Sequence, residues 1–220
     1  MAASTRTPST TNWADESPGT LPYMPPVNTD TTREKVIEAA ETCFARYGVA
    51  KTTVEDVAAA AGLSRATVYR AFTGGRDELV LSVVLRGLGR FLDRLSARLG
   101  DETSAPDAIV EGILDAIAFV RSEPQMAAQF LAPDAAGHTQ AVVAGAAERI
   151  LELCCDHVRP YFDLGRREGL IRGDIEVEGA MEFLFRVISS MIVMPLERDD
   201  EATRAFLRTY VLPGLVVRGN

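Results

Sequence analysis

Residues 52–72 read TTVEDVAAAAGLSRATVYRAF, from Thr52 through Gly62 to Phe72. Two short helices are written into this stretch. Thr53-Val54-Glu55-Asp56 starts the first, Ala61-Gly62 ends it, and Ser64 caps a second that runs to about Phe72. Helices that meet steeply need a small residue where they touch, a residue that tolerates the turn, and apolar anchors on both. Ala58 fits the contact, Gly62 the turn, and Val57, Ala61, Leu63 and Val68 the shared core. The unit is a helix-turn-helix.

With those anchors buried, Ser64, Arg65, Thr67, Tyr69 and Arg70 are left outward, and Ala66 leaves room for close approach. Arginine bonds guanine edges with two parallel N–H groups, threonine offers a hydroxyl or a methyl to a base, and tyrosine reaches a phosphate. Lys51 and Thr53 stand at the start of the first short helix, and Arg76 at the start of the helix that follows. All three sit where a cation or a helix N-terminus meets backbone phosphates. The face is suited to a polyanion.

The net charge of the 220-residue chain, −8, speaks against nucleic acid only until it is divided. Residues 31–79 hold seven basic side chains (Arg33, Lys35, Arg46, Lys51, Arg65, Arg70 and Arg76) against seven acidic ones, whereas residues 80–220 hold 15 against 21. What a duplex meets is the local face rather than the sum. Residues 1–30 are rich in Ser, Thr and Pro, carry net −2, and lack the basic start and apolar centre of a secretory signal. They are expected to be a disordered tail.

Working outward, the pattern is helical throughout, and the expected fold class is all-α with about nine helices. Thr31-Thr32-Arg33-Glu34 reads as a capping box for a helix over 32–47 stopped by Gly48. A long helix starting at about 75 carries Asp77 and Glu78 in its first turn and ends at Gly100. Further helices are expected at about 105–121, 124–131, 139–168, 176–194 and 200–212, with Pro160 kinking the third of these. The expected division is a tail over 1–30, a helix-turn-helix domain over 31–79, and a helical domain over 80–220.

Thr52 to Ala58, Ala61 to Phe72 and Asp77-Glu78-Leu79 together resemble the N-terminal domain of the tetracycline-repressor-like (TetR) family of bacterial regulators. The resemblance covers about residues 31–80. It implies a homodimeric repressor that binds a double-stranded DNA operator and whose larger C-terminal domain holds a small-molecule effector pocket and the dimer interface. It further implies that Thr53, Ser64 and Tyr69 touch phosphates and that Arg65, Ala66, Thr67 and Arg70 face bases. Two departures stand out. Ala71 replaces a frequent histidine or tyrosine, and the loop Thr73-Gly74-Gly75-Arg76 is one residue longer and has no lysine, so Arg76 is assigned the lysine's phosphate role.

In the C-terminal part, the segment 177–194 is apolar around most of its circumference, so it needs cover on two sides. Phe183, Val187, Met191 and Met194, with Leu207 and Tyr210 on the last helix, are the candidate dimer interface; a central helix of a monomeric core is the alternative. Phe91, Phe119, Met126, Phe130, Cys154, His157, Tyr161 and Phe162 are candidates for an apolar effector pocket. Cys154, Cys155 and His157 lie on one helix without a second cluster, so no metal is expected.

No cofactor and no catalytic residues are expected. The chain has two histidines, no Gly-x-Ser-x-Gly and no phosphate-cradling glycine loop, which disfavours an enzyme. The apolar run 180–196 is broken by Glu182 and Arg186, so no membrane partner is expected. Three cysteines, two of them adjacent, suit a reducing cytoplasm. The expected function is a ligand-released transcriptional repressor reading a palindrome through helix 64–72. The alternative is a helical small-molecule or protein-binding dimer that no longer reads DNA.

Overall fold

The computed structural model describes residues 29–99, 104–123 and 140–217. The expected helix at 124–131, the tail up to residue 28, and the candidate pocket residues Met126 and Phe130 lie outside the described residues. Eight α-helices are present among those described: α1 (Thr29–Tyr47), α2 (Val54–Ala61), α3 (Arg65–Ala71), α4 (Gly75–Leu99), α5 (Ala105–Ser122), α6 (Gln140–Arg167), α7 (Val177–Val193) and α8 (Asp200–Phe206). A π turn over Leu207–Val211 and a 3-10 turn over Leu212–Gly214 follow. The sole β-type pairing among them is an isolated antiparallel bridge between Ile171 and Val216. The chain is all-α.

Two helices differ from the sequence reading. α1 begins at Thr29, so the Thr31 of the expected capping box lies inside the helix. The run Thr-Asp-Thr-Thr offers several cap-forming residues in succession, and the pattern alone does not choose between them. The last helix gives way to a π turn at Leu207, where an α-helix was expected to continue to 212. Pro160 lies within α6, as its position in the sequence required.

Two separate hydrophobic clusters hold the molecule. The first joins α1, α2, α3 and the beginning of α4, from Val36 to Val83, with Phe72, Val57, Val68 and Leu79 at its centre. The second runs from Val84 on α4 through α5, α6, α7 and the C-terminal turns to Leu215. They divide between Val83 and Val84, two adjacent residues in the middle of one continuous helix. Gly87 of α4 faces the ring of Phe119, and Phe91, one turn on, stacks on that ring with centroids 4.5 Å apart.

Candidate nucleic-acid interface

The turn between α2 and α3 is built by hydrogen bonds that the sequence supplies at each step. Thr53 caps α2: its hydroxyl accepts from the Asp56 N–H at 3.2 Å, while the Asp56 carboxylate accepts from the Thr53 N–H at 2.9 Å. The Thr53 hydroxyl and then its N–H hold the Asp56 carboxyl below the usual carboxylate range. At the other end Gly62 takes φ +66°, a left-handed conformation that glycine enters freely. The N–H groups of Gly62 and Leu63 then return to the carbonyls of Ala59 and Ala58, closing the helix with a Schellman turn. Ser64 begins α3 by accepting from the Thr67 N–H at 3.2 Å.

This turn buries Val57, Ala58 and Val68 and turns the opposite side of α3 outward. Arg65, Ala66, Tyr69 and Arg70 are exposed together with Ser64, and Thr67 is half-buried. The exposed groups are not independent. The Thr67 hydroxyl pairs with the Ser64 hydroxyl at 2.9 Å and accepts from Arg70 Nη2 at 3.3 Å. Arg65 makes an ion pair with Glu55 of α2, Nη1 to Oε1 at 2.7 Å, and its guanidinium lies 5.4 Å from the centre of the Tyr69 ring. Tyr69 first, then Glu55, hold the Arg65 guanidinium above its ordinary pKa. Lys51 and Thr53 are exposed at the start of α2, and Arg46, Tyr47, Lys51 and Asp56 line a shallow cleft beside it.

Arg76 behaves differently from the lysine it was expected to replace. Its guanidinium turns inward to the loop between α1 and α2, donating to the Val49 carbonyl at 2.6 Å and to the Thr52 carbonyl at 3.4 Å. The same loop is fastened by the buried Thr52 hydroxyl, which donates to Gly48 at 2.8 Å. In this conformation Arg76 braces the segment that bears Lys51 and Thr53. Gly75 takes φ +64°, and Glu78 reaches back to accept from the Gly74 N–H at 2.8 Å, so the start of α4 is set by glycines rather than by a cation.

Arg33, which the sequence reading used only for its charge, is the centre of a further network. It donates to the Ala71 carbonyl at the end of α3 (2.6 Å), to Glu78 (2.9 Å) and to Ser82 (3.1 Å), and lies 4.2 Å over the Phe72 ring. A single side chain of α1 thus fixes the end of α3 to α4. Its signal in the sequence was faint: an arginine one turn into a helix normally reads as a solvated face.

Of the candidate pocket residues, Phe91 and Phe119 are brought together in the second core, whereas Tyr161 is exposed. Cys154 is shielded, and burial pushes its thiol up to about 12. His157 Nε2 lies 3.3 Å from Asp93 of α4, and its Nδ1 lies 3.1 Å from the Leu153 carbonyl. The two surface clefts described are lined by other residues. Among the described residues no group of three or more His, Cys, Asp or Glu side chains is placed to hold a metal, and no helix is long and apolar enough to cross a membrane.

Of the candidate interface residues, Phe183, Met194 and Tyr210 stand in solvent and Val187 and Met191 are half-buried. Leu207 is completely buried within its own chain. In an α-helix positions three apart share a face, but a π turn advances less per residue, so that Leu207 and Tyr210 diverge, the one buried and the other exposed.

Comparison with known proteins agrees with this geometry. Residues 36–83 match the model for bacterial regulatory proteins of the tetR family. An uncharacterized HTH-type transcriptional regulator of Mycobacterium tuberculosis is 25% identical over 191 residues, covering 84% of this chain and 86% of the relative. Among solved structures, a complex of triclosan with SmeT, the repressor of the Stenotrophomonas maltophilia multidrug efflux pump SmeDEF, is similar with a TM-score of 0.53 and 23% identity over 86% of this chain and 93% of that one. The Bacillus subtilis regulator FadR in complex with stearoyl-CoA is similar with a TM-score of 0.54 and 18% identity over 82% and 95%. At these identities the structural likenesses speak to the fold.

Proposed function

We propose that this chain, which belongs to the TetR family of bacterial transcriptional regulators, is a homodimeric repressor that reads a palindromic operator through α3 and leaves it when a small apolar or amphipathic molecule binds the C-terminal domain. The observation that carries the reading is the outward side of α3. It offers Arg65, Thr67 and Arg70 for base edges and Ser64 and Tyr69 for phosphates, on the second helix of a fully capped helix-turn-helix. One such helix makes few contacts. Two, spaced by one turn of B-DNA (~34 Å), read a two-fold site.

Lys51 and Thr53 supply phosphate contacts at the start of α2, where the helix dipole favours an anion. Arg76 supports them from behind by holding the carbonyls of Val49 and Thr52. The dimer forms through the exposed side of α7 and through Tyr210. The protein acts in the cytoplasm, where its DNA lies.

The effector acts at the Phe91–Phe119 stack. Because Phe91 belongs to α4 and Phe119 to α5, a molecule that binds between the rings favours a state in which α4 has moved. The coupling is the difference in its affinity for the two states. The apolar and amphipathic molecules bound to SmeT and FadR support that chemical class.

The test is a titration of the full chain onto the duplex from upstream of its own coding region, over a range of salt, with a scrambled duplex as control. The parent is expected to prefer the upstream duplex. Lys51→Ala is expected to weaken both duplexes alike and to lower the salt slope by about one. Arg76→Ala is expected to weaken binding with the salt slope unchanged. Equal binding to both duplexes at low salt, or a monomer in sedimentation, would overturn the reading.

A further inference from the structure

Glu55 lies in the first turn of α2, and the cap of that helix does not use it, because Thr53 and Asp56 close the box between themselves. Its carboxylate instead reaches across to α3, where Oε1 lies 2.7 Å from Arg65 Nη1. Both partners are open to solvent, the Arg65 side chain 62% exposed and the Glu55 side chain 51%. An ion pair so exposed contributes little to stability. A carboxylate on a face turned to phosphates also lowers affinity for every sequence. Its presence there needs another explanation, and orientation supplies one.

An unrestrained arginine samples many rotamers, whereas two parallel N–H bonds to a base edge require one of them. With Nη1 paired to Glu55, the side edge of the guanidinium, Nε–H together with Nη2–H, is the edge that this ion pair does not use. That edge is a parallel pair of donors, the arrangement that O6 and N7 of guanine accept. The Tyr69 ring, 5.4 Å from the guanidinium carbon, limits its remaining freedom.

We infer that Glu55 is a positioning residue for base reading: it holds Arg65 with its Nε/Nη2 edge presented in advance and thereby sets the preference for guanine at the base pair that Arg65 meets. The inference rests on the DNA-reading function proposed above. It has a signature that a structural role lacks. Removing Glu55 lowers discrimination between bases while general affinity for DNA is kept or rises, because a negative charge leaves the face.

The probe is the duplex that the full-length parent selects from a randomised pool, with each single-base-pair substitution of it and an unselected duplex of equal length. Arg65→Ala identifies the base pair at which preference disappears. Glu55→Gln and Glu55→Ala are expected to reduce preference at that base pair by about 5-fold or more. Binding to the unselected duplex is expected to stay equal or tighten, and both variants are expected to melt as the parent does. Preference unchanged in Glu55→Ala, or affinity lost in parallel for all duplexes, overturns the inference and leaves the DNA reading in place. Should Arg65→Ala alter preference nowhere, base reading by Arg65 fails, and the role of Glu55 fails with it.

Discussion

Around residues 36–83 the large apolar side chains that remain exposed are Tyr47 and Tyr69, and both carry a hydroxyl that water can satisfy. Beyond residue 176 the picture changes: Phe183, Val193, Met194, Leu196 and Tyr210 all stand in solvent, Met194 and Tyr210 at 70% of their full exposure. The first region closes its core with its own helices and spends its surface on cations and hydroxyls. The second buries a core of comparable kind and still leaves apolar surface over. Exposed apolar side chains in such number suit a contact still to be made, so under the proposed function the two regions differ in what would complete them: a polyanion for the first, a second copy of the chain for the second.

The sharpest way to break this contrast is to open the first core. Phe72 is 1% exposed and sits beneath Arg33, so Phe72→Ala is expected to cost about 3–5 kcal/mol in denaturant unfolding. A much smaller loss would mean that α3 is held chiefly by the Arg33 hydrogen bonds. The next effect belongs to the second region. Met194→Glu combined with Tyr210→Glu is expected to weaken self-association by about 2 kcal/mol or more in sedimentation equilibrium, without lowering the unfolding midpoint of the isolated subunit. Unaltered association would assign the exposed side of α7 to something other than a second copy.

The smallest effect lies at the cap of α2. Thr53→Ala is expected to destabilise the first region by about 1 kcal/mol at neutral pH. Asp56, held low by the Thr53 hydroxyl and N–H, contributes stability above the carboxyl's unfolded pKa and loses it as pH falls through the lower folded value. Acid titration of helicity in the parent should therefore show a loss below the usual carboxylate range that is smaller in Thr53→Ala, which keeps only the backbone N–H bond.

Legibility in the sequence follows the same divide. The helix-turn-helix could be read because each of its joints needs a particular residue: glycine for the left-handed φ at Gly62, a hydroxyl for the caps at Thr53 and Ser64, and a small side chain at Ala58. The inward bonds of Arg76 were not legible, because a cation before a long helix looks the same in sequence whether it faces phosphate or carbonyl. The burial of Leu207 within its own chain was not legible, because a π turn has no compositional signature and alters the register that periodicity assumes. The Glu55–Arg65 pair was hidden for a third reason: it joins two helices across a turn, a contact that no spacing within one helix reports.

The meeting of the two cores at Val83 and Val84 also bears on protein engineering. Because the junction falls within α4, not in a linker, a hybrid that joins this reading head to a foreign sensor must be spliced in helical phase. Adding or deleting one residue there rotates everything downstream by about 100°, and would turn one set of apolar side chains out into water. Successful hybrids should therefore recur at insertions of whole turns.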